Sequence, residues 1–140
     1  MGIGMCQVDS QFFIPKCNIK PLYDAMVKES NILPEDRVEN PDVEDLNDIM
    51  PNCGEGLWDF CLEDDAQGNV INIFFEGENY HADDHPQCLE IFIPYVQEGS
   101  YLCMLLEINI HEKWLFKNGK ILVCDGHVVY DETEPVSEEK

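Results

Sequence analysis

The stretch Lys113-Trp114-Leu115-Phe116-Lys117-Asn118-Gly119-Lys120-Ile121-Leu122-Val123-Cys124-Asp125-Gly126 decides the fold of this chain. Apolar runs flank Asn118-Gly119, and a further one, His127-Val128-Val129-Tyr130, follows Asp125-Gly126. Asn-Gly and Asp-Gly are the dipeptides that accept positive φ at both central positions of a two-residue type I′ hairpin turn. The sequence therefore predicts strands over 113–117, 120–124 and 127–130, joined by two tight turns. A strand over 101–108, after Gly99, would complete a C-terminal antiparallel meander.

Working back from the meander, Pro86 stands where a first helical residue belongs, with Asp84 or His85 as cap. That helix would turn Leu89, Phe92 and Ile93 inward and stop near Pro94. Before it, apolar runs over 57–62 and 70–75 enclose the turn formers Asp64-Asp65-Ala66-Gln67-Gly68-Asn69, a hairpin signature. Asp42 is placed to cap a short helix with Val43, Leu46, Ile49 and Met50 at helical spacing, ended by Pro51 and Gly54. Residues 31–41 read as a polar loop. Asn18 would cap a helix over 19–30, with Pro21 in its first turn and Ile19, Leu22, Tyr23 and Met26 on one face. Residues 5–14 open the chain as a strand. The order β-α-α-β-β-α-β-β-β-β predicts one α+β domain over 1–130: an antiparallel sheet with a split βαββαβ-like start and helices on one face. Residues 131–140 form an acidic tail, expected to be frayed.

Charge is the second strong signal. The 140 residues carry net −21, and the segment 29–98 holds nineteen acids against one base, Arg37, a net −18. Such a field repels nucleic acid and attracts basic surfaces. Direct nucleic-acid binding is excluded on this ground. Nucleotide chemistry is disfavoured by the absence of a Gly-Lys-Ser/Thr phosphate loop and by the single arginine. Apolar content of 44% supplies a core, and no apolar run is long enough to span a membrane. The N-terminal residues show neither a secretory signal nor a myristoylation motif. Seven cysteines, an odd number without a Cys-x-x-Cys pair, are expected to be free thiols of a cytoplasmic protein in a bacterial host cell.

The strongest metal-like cluster is His81-Ala82-Asp83-Asp84-His85-Pro86-Gln87-Cys88. His81, His85 and Cys88 could ligate zinc in a small metal-dependent enzyme, but Pro86 breaks the helix that would converge them. A helix start capped by Asp84 is the plainer reading, and no cofactor or metal is expected. Cys124 with His127, or Cys103 with His111, would suit nucleophilic chemistry only in a positive environment, which this chain lacks. Asp64 to Asn69 departs from calcium-loop spacing.

The segments Phe75-Glu76-Gly77-Glu78, Ile93-Pro94-Tyr95-Val96, Gly99-Ser100-Tyr101 and Trp114-Leu115-Phe116 before Asn118-Gly119 resemble those of small acidic hypothetical proteins of bacteria and phages. The likeness covers residues 55–124. This chain departs from it by its extra cysteines and a longer segment between Ile108 and Trp114, and no catalytic residue carries over. The composition is similar to that of phage DNA-mimic inhibitors of anti-restriction and anti-CRISPR type. Residues and resemblance together lead to the expectation of a non-enzymatic inhibitor that occupies the basic surface of a nuclease or other nucleic-acid-binding protein. The expected contact acids are Glu35, Asp36, Glu39, Asp42, Glu44, Asp45, Asp48, Glu63, Asp64, Asp65, Asp83 and Asp84. An immunity protein against a toxin nuclease is the alternative within the same charge logic.

Overall fold

Asn118 and Gly119 both take positive φ, 56° and 73°, in the computed structural model, as a type I′ turn requires. They join β6 (Ile110–Lys117) to β7 (Lys120–Gly126), with Lys117 opposite Lys120 and Phe116 opposite Ile121. The structure describes residues 3–30, 32–53, 57–76, 79–80, 87–106 and 110–126. The remaining elements are β1 (Ile3–Gln11), α1 (Ile19–Lys28), α2 (Val43–Ile49), β2 (Phe60–Asp64), β3 (Val70–Phe75), β4 (Asn79–Tyr80) and β5 (Tyr101–Leu106). Single 3-10 turns occupy Lys16–Asn18, Pro34–Asp36, Met50–Asn52 and Leu57–Asp59, and a longer 3-10 segment covers Gln87–Phe92.

The fold is α+β and every strand pairing is antiparallel. Five strands form one sheet in the order β4-β1-β5-β6-β7, and β2-β3 form a second, two-stranded sheet. The side chain of Gln7 is one link between them. Its Nε2 donates to the carbonyl of Ile73 at 2.8 Å, and its Oε1 accepts the N–H of Phe75 at 2.8 Å. A β-bulge between Gln7 and Asp9 leaves Val8 unmatched on β5, which re-aims the strand at this point. Further along, Ile14 and Val70 exchange two backbone bonds of 2.9 Å.

Four sequence expectations need correction. Asp125-Gly126 is no turn: β6 starts at Ile110, so β7 still has a partner strand beyond Cys124, and Asp125 and Gly126 pair with Glu112 and His111. The predicted strand over 127–130 lies outside the described residues. The helix expected after Pro86 is a 3-10 segment over Gln87–Phe92, and its three-residue bonding continues past its end, where the Ile93 N–H donates to the Glu90 carbonyl at 3.1 Å. Asn18 sits at the start of α1 without capping it, and its Nδ2 instead donates to the carbonyl of Tyr95 at 2.8 Å. Finally, α1 ends at Lys28, where Glu29 and Ser30 make i→i+3 bonds to Met26 and Val27.

The amphipathic stripes were read correctly. Ile19, Leu22, Tyr23 and Met26 of α1 and Val43, Leu46 and Ile49 of α2 are all buried. They join Leu102, Met104, Trp114 and Phe116 of the large sheet in one apolar cluster. Phe12 sits at its centre, edge-on to Phe92 and Phe116 with ring centroids 5.5 and 5.6 Å away. Each such pair contributes ~1 kcal/mol beyond area burial.

Candidate functional site

The acids expected to contact a partner divide by what their oxygens do. Asp42 is the N-cap of α2, where Oδ1 accepts the N–H of Asp45 at 3.0 Å and Asp45 Oδ2 accepts the N–H of Asp42 at 2.9 Å. This reciprocal box satisfies two otherwise orphaned helix donors and sets negative charge at the positive end of the helix. Asp65 serves its own turn. Its Oδ1 accepts the N–H groups of Gln67 and Asn69 at 2.9 Å each, and Oδ2 accepts Asn69 Nδ2 at 3.0 Å. The Asn69 side-chain bond, then the backbone bonds, hold this carboxyl below the usual range. With those lone pairs turned into the loop, Asp65 is a poor calcium ligand.

The rest of the described set faces water. Glu35, Asp36, Glu39, Glu44, Asp48, Glu63 and Asp64 are exposed and form no ion pair among the described residues. Arg37, the one cation of the acidic segment, is 3.0 Å from Asp24. Lys20 Nζ reaches the backbone carbonyl of Glu39 at 3.1 Å. Glu44 and Asp48 lie at i and i+4 on α2, outside its buried Val43–Leu46–Ile49 stripe. Like charges at that spacing cost an isolated helix ~0.2–0.5 kcal/mol. Asp83 and Asp84 lie outside the described residues.

A residue that sequence reasoning missed brings the two acidic groups together. Asn47 of α2 donates from Nδ2 to the carbonyl of Leu62 at 3.0 Å, and its Oδ1 accepts the N–H of Leu62 at 2.8 Å. The side-chain amide thus pairs with the edge of β2 as a neighbouring strand would. Asp48 follows Asn47, and Glu63 and Asp64 follow Leu62, so α2 and the end of β2 present their acids beside one joint. The only signal in the sequence was an amide between Leu46 and Asp48, which has no periodicity to betray a partner fifteen residues away.

The described residues cover only part of the catalytic alternatives. His81, Asp83, Asp84 and His85 lie outside the described residues, and Cys88 is half-buried. Among the described residues no three His, Cys, Asp or Glu side chains cluster to hold a metal. His127 lies outside the described residues, so the Cys124 pair is undefined. Cys103 stands opposite Lys113, while His111 stands opposite Leu105. Burial and then Asp9 push the Cys103 thiol up, against the opposing pull of Lys113. Cys53 is buried, its sulfur 3.3 Å from the carbonyls of Met26 and Ile49, and burial with Glu29 pushes its thiol up to about 11. A raised pKa disfavours the thiolate at both positions.

No protein-family model matches the chain, and no curated protein or solved structure matches it.

Proposed function

We propose that this protein is a non-enzymatic inhibitor that occupies a basic nucleic-acid-binding surface, with phage anti-CRISPR or related anti-defence activity as its most concrete form. One observation carries the reading: Glu44, Asp48, Glu63 and Asp64 are exposed and unpaired among the described residues, and they stand on α2 and the end of β2, two elements that the Asn47–Leu62 bonds tie together. A carboxylate array held on a helix and a strand end is a preorganised anionic surface. Duplex DNA offers one charge per ~1.7 Å of axis, and a channel built for that density attracts such an array. Glu35, Asp36 and Glu39 add exposed carboxylates in the chain before α2.

The test begins with capture of a partner from host lysate and its identification by mass spectrometry. Association is then measured against ionic strength for wild type, for Glu44→Lys/Asp48→Lys/Glu63→Lys, and for the tail variant Glu134→Lys/Glu138→Lys/Glu139→Lys. Asp45 is left unchanged because its reversal would also break the α2 cap. Electrostatic steering predicts a rate that falls steeply with salt, and a larger loss from the first variant than from the tail variant. Equal losses, or a rate indifferent to salt, would leave the acids as solubilising surface.

A further inference from the structure

The large sheet has a second face. Along β5 the buried side chains are Leu102, Met104 and Leu106, so Tyr101, Cys103 and Leu105 point the other way. The cross-strand register continues that outer face through Leu115 opposite Tyr101, then Leu122 opposite Leu115, and Cys124 opposite Lys113. An antiparallel sheet with one solvated face normally alternates apolar-in with polar-out. Here the outward positions of the meander include three leucines, a tyrosine and two thiols. Leu105, Leu115 and Leu122 are half-buried yet stand apart from the core cluster and from the side chains packed against it. Leu115 and Leu122 face each other across β6 and β7, with Tyr101 on the other side of Leu115, while Leu105 stands further along the same face opposite His111.

Charge says what fits there. Residues 101–126 carry three acids and three lysines, a net charge of zero in a chain of net −21. The register sends Glu112 and Asp125 to the Trp114 side of the sheet and Lys113, Lys117 and Lys120 to the outer side. Asp9, Cys103 and Lys113 form one cross-strand row, with Asp9 and Lys113 on either side of Cys103. Lys113 Nζ also lies 4.3 Å from the centroid of the Tyr101 ring. The row is self-complementary: a two-fold axis through Cys103, parallel to the strands, lays Asp9 of each copy over Lys113 of the other.

We propose that the outer face of the β1-β5-β6-β7 sheet is a homodimer interface, formed by a second copy of this chain packing face to face about that axis. The inference is independent of the inhibitor reading and has the opposite salt response. Screening the −21 charge favours self-association, whereas it weakens capture of a basic partner.

Sedimentation equilibrium and light scattering of the full chain across protein concentration, at low and at high salt, test it. The expected result is a mass that doubles, with a dimer dissociation constant at least tenfold lower at high salt. Leu115→Glu should weaken the dimer by at least tenfold. Should that variant fold poorly, Lys113→Glu gives a second reading, because it sets like charges over one another, and the swap Asp9→Lys/Lys113→Glu should restore the dimer. A wild type that stays monomeric at high salt up to its solubility limit overturns the proposal and leaves the face to a different macromolecule. A dimer unaffected by Lys113→Glu and by a folded Leu115→Glu overturns it too, because the contact then lies elsewhere.

Discussion

Replacing Asn47 by alanine should uncouple α2 from β2, at a cost that can be worked from two bonds. The side chain accepts the Leu62 N–H at 2.8 Å and donates to the Leu62 carbonyl at 3.0 Å. A net contribution of ~0.5–1.5 kcal/mol per bond sets the loss at about 1–3 kcal/mol. Leu62 is buried, so its N–H and carbonyl find little water to replace the amide, which puts the loss in the upper half of that range. Urea unfolding measures it. With a slope near 2 kcal/mol per molar, a loss of about 2 kcal/mol moves the midpoint down by roughly 1 M, with the slope unchanged. Asn40→Ala, at an exposed position, is the control and should shift stability by less than ~0.5 kcal/mol. A midpoint for Asn47→Ala within about 0.2 M of the control would refute the view that this amide holds the joint. If the joint also orders the acids, the variant should lose partner affinity at a temperature where it is still folded.

Two further substitutions test the fold elsewhere. Gln7→Ala removes bonds to Ile73, Phe75 and Ser10, so the same reasoning predicts a loss of about 1.5–4.5 kcal/mol in urea unfolding, and a loss below ~0.5 kcal/mol would mean that the two sheets are joined by other contacts. Asp59 is buried, and burial raises its carboxyl above the ordinary value, so the folded protein binds a proton more tightly than the unfolded chain. Its contribution is therefore most favourable below the unfolded carboxylate pKa of ~3.9 and declines as pH rises through the raised folded value. Asp59→Asn should then raise Tm at pH 7 by a few degrees, with the gain shrinking towards pH 4, and a difference that does not change with pH would contradict this.

What the sequence made legible was local. The α1 and α2 stripes follow from helical spacing, the capping aspartate from its place before Val43, and the β6-β7 turn from Asn118-Gly119. Each depends on residues within one or two turns of chain. Polar side chains that bond far along the chain escaped, among them Gln7 to Ile73 and Phe75, Asn18 to Tyr95, and Asn47 to Leu62. An amide that stitches two elements looks, in sequence, like any solvated amide. The same limit explains Asp125-Gly126. Its dipeptide favours a turn, but a partner strand reaching back to Ile110 offers ladder bonds instead, and tertiary pairing prevails over local preference. Apart from Asp42 as the helix cap, the acidic site was legible as a composition and illegible as an arrangement, since Asp45 and Asp65 differ from their neighbours only in which N–H groups lie within reach.

That division is also the argument for reading the remaining acids as functional. The fold uses Asp42 and Asp45 to start a helix, Asp65 to close a turn and Asp24 to hold Arg37. The helix-capping and turn-closing carboxylates thus have a structural role of their own. Glu44, Asp48, Glu63 and Asp64 make no comparable bond among the described residues, and Glu44 with Asp48 sits at a spacing that disfavours the helix carrying them. Solubility needs net charge, which the tail and loops supply without crowding acids on a seven-residue helix. Three of the seven lysines, Lys113, Lys117 and Lys120, stand on the outer face of the meander. In the proposed two-fold contact Lys113 of each copy lies over Asp9 of the other, so that contact uses charges distinct from the exposed acids of α2 and β2.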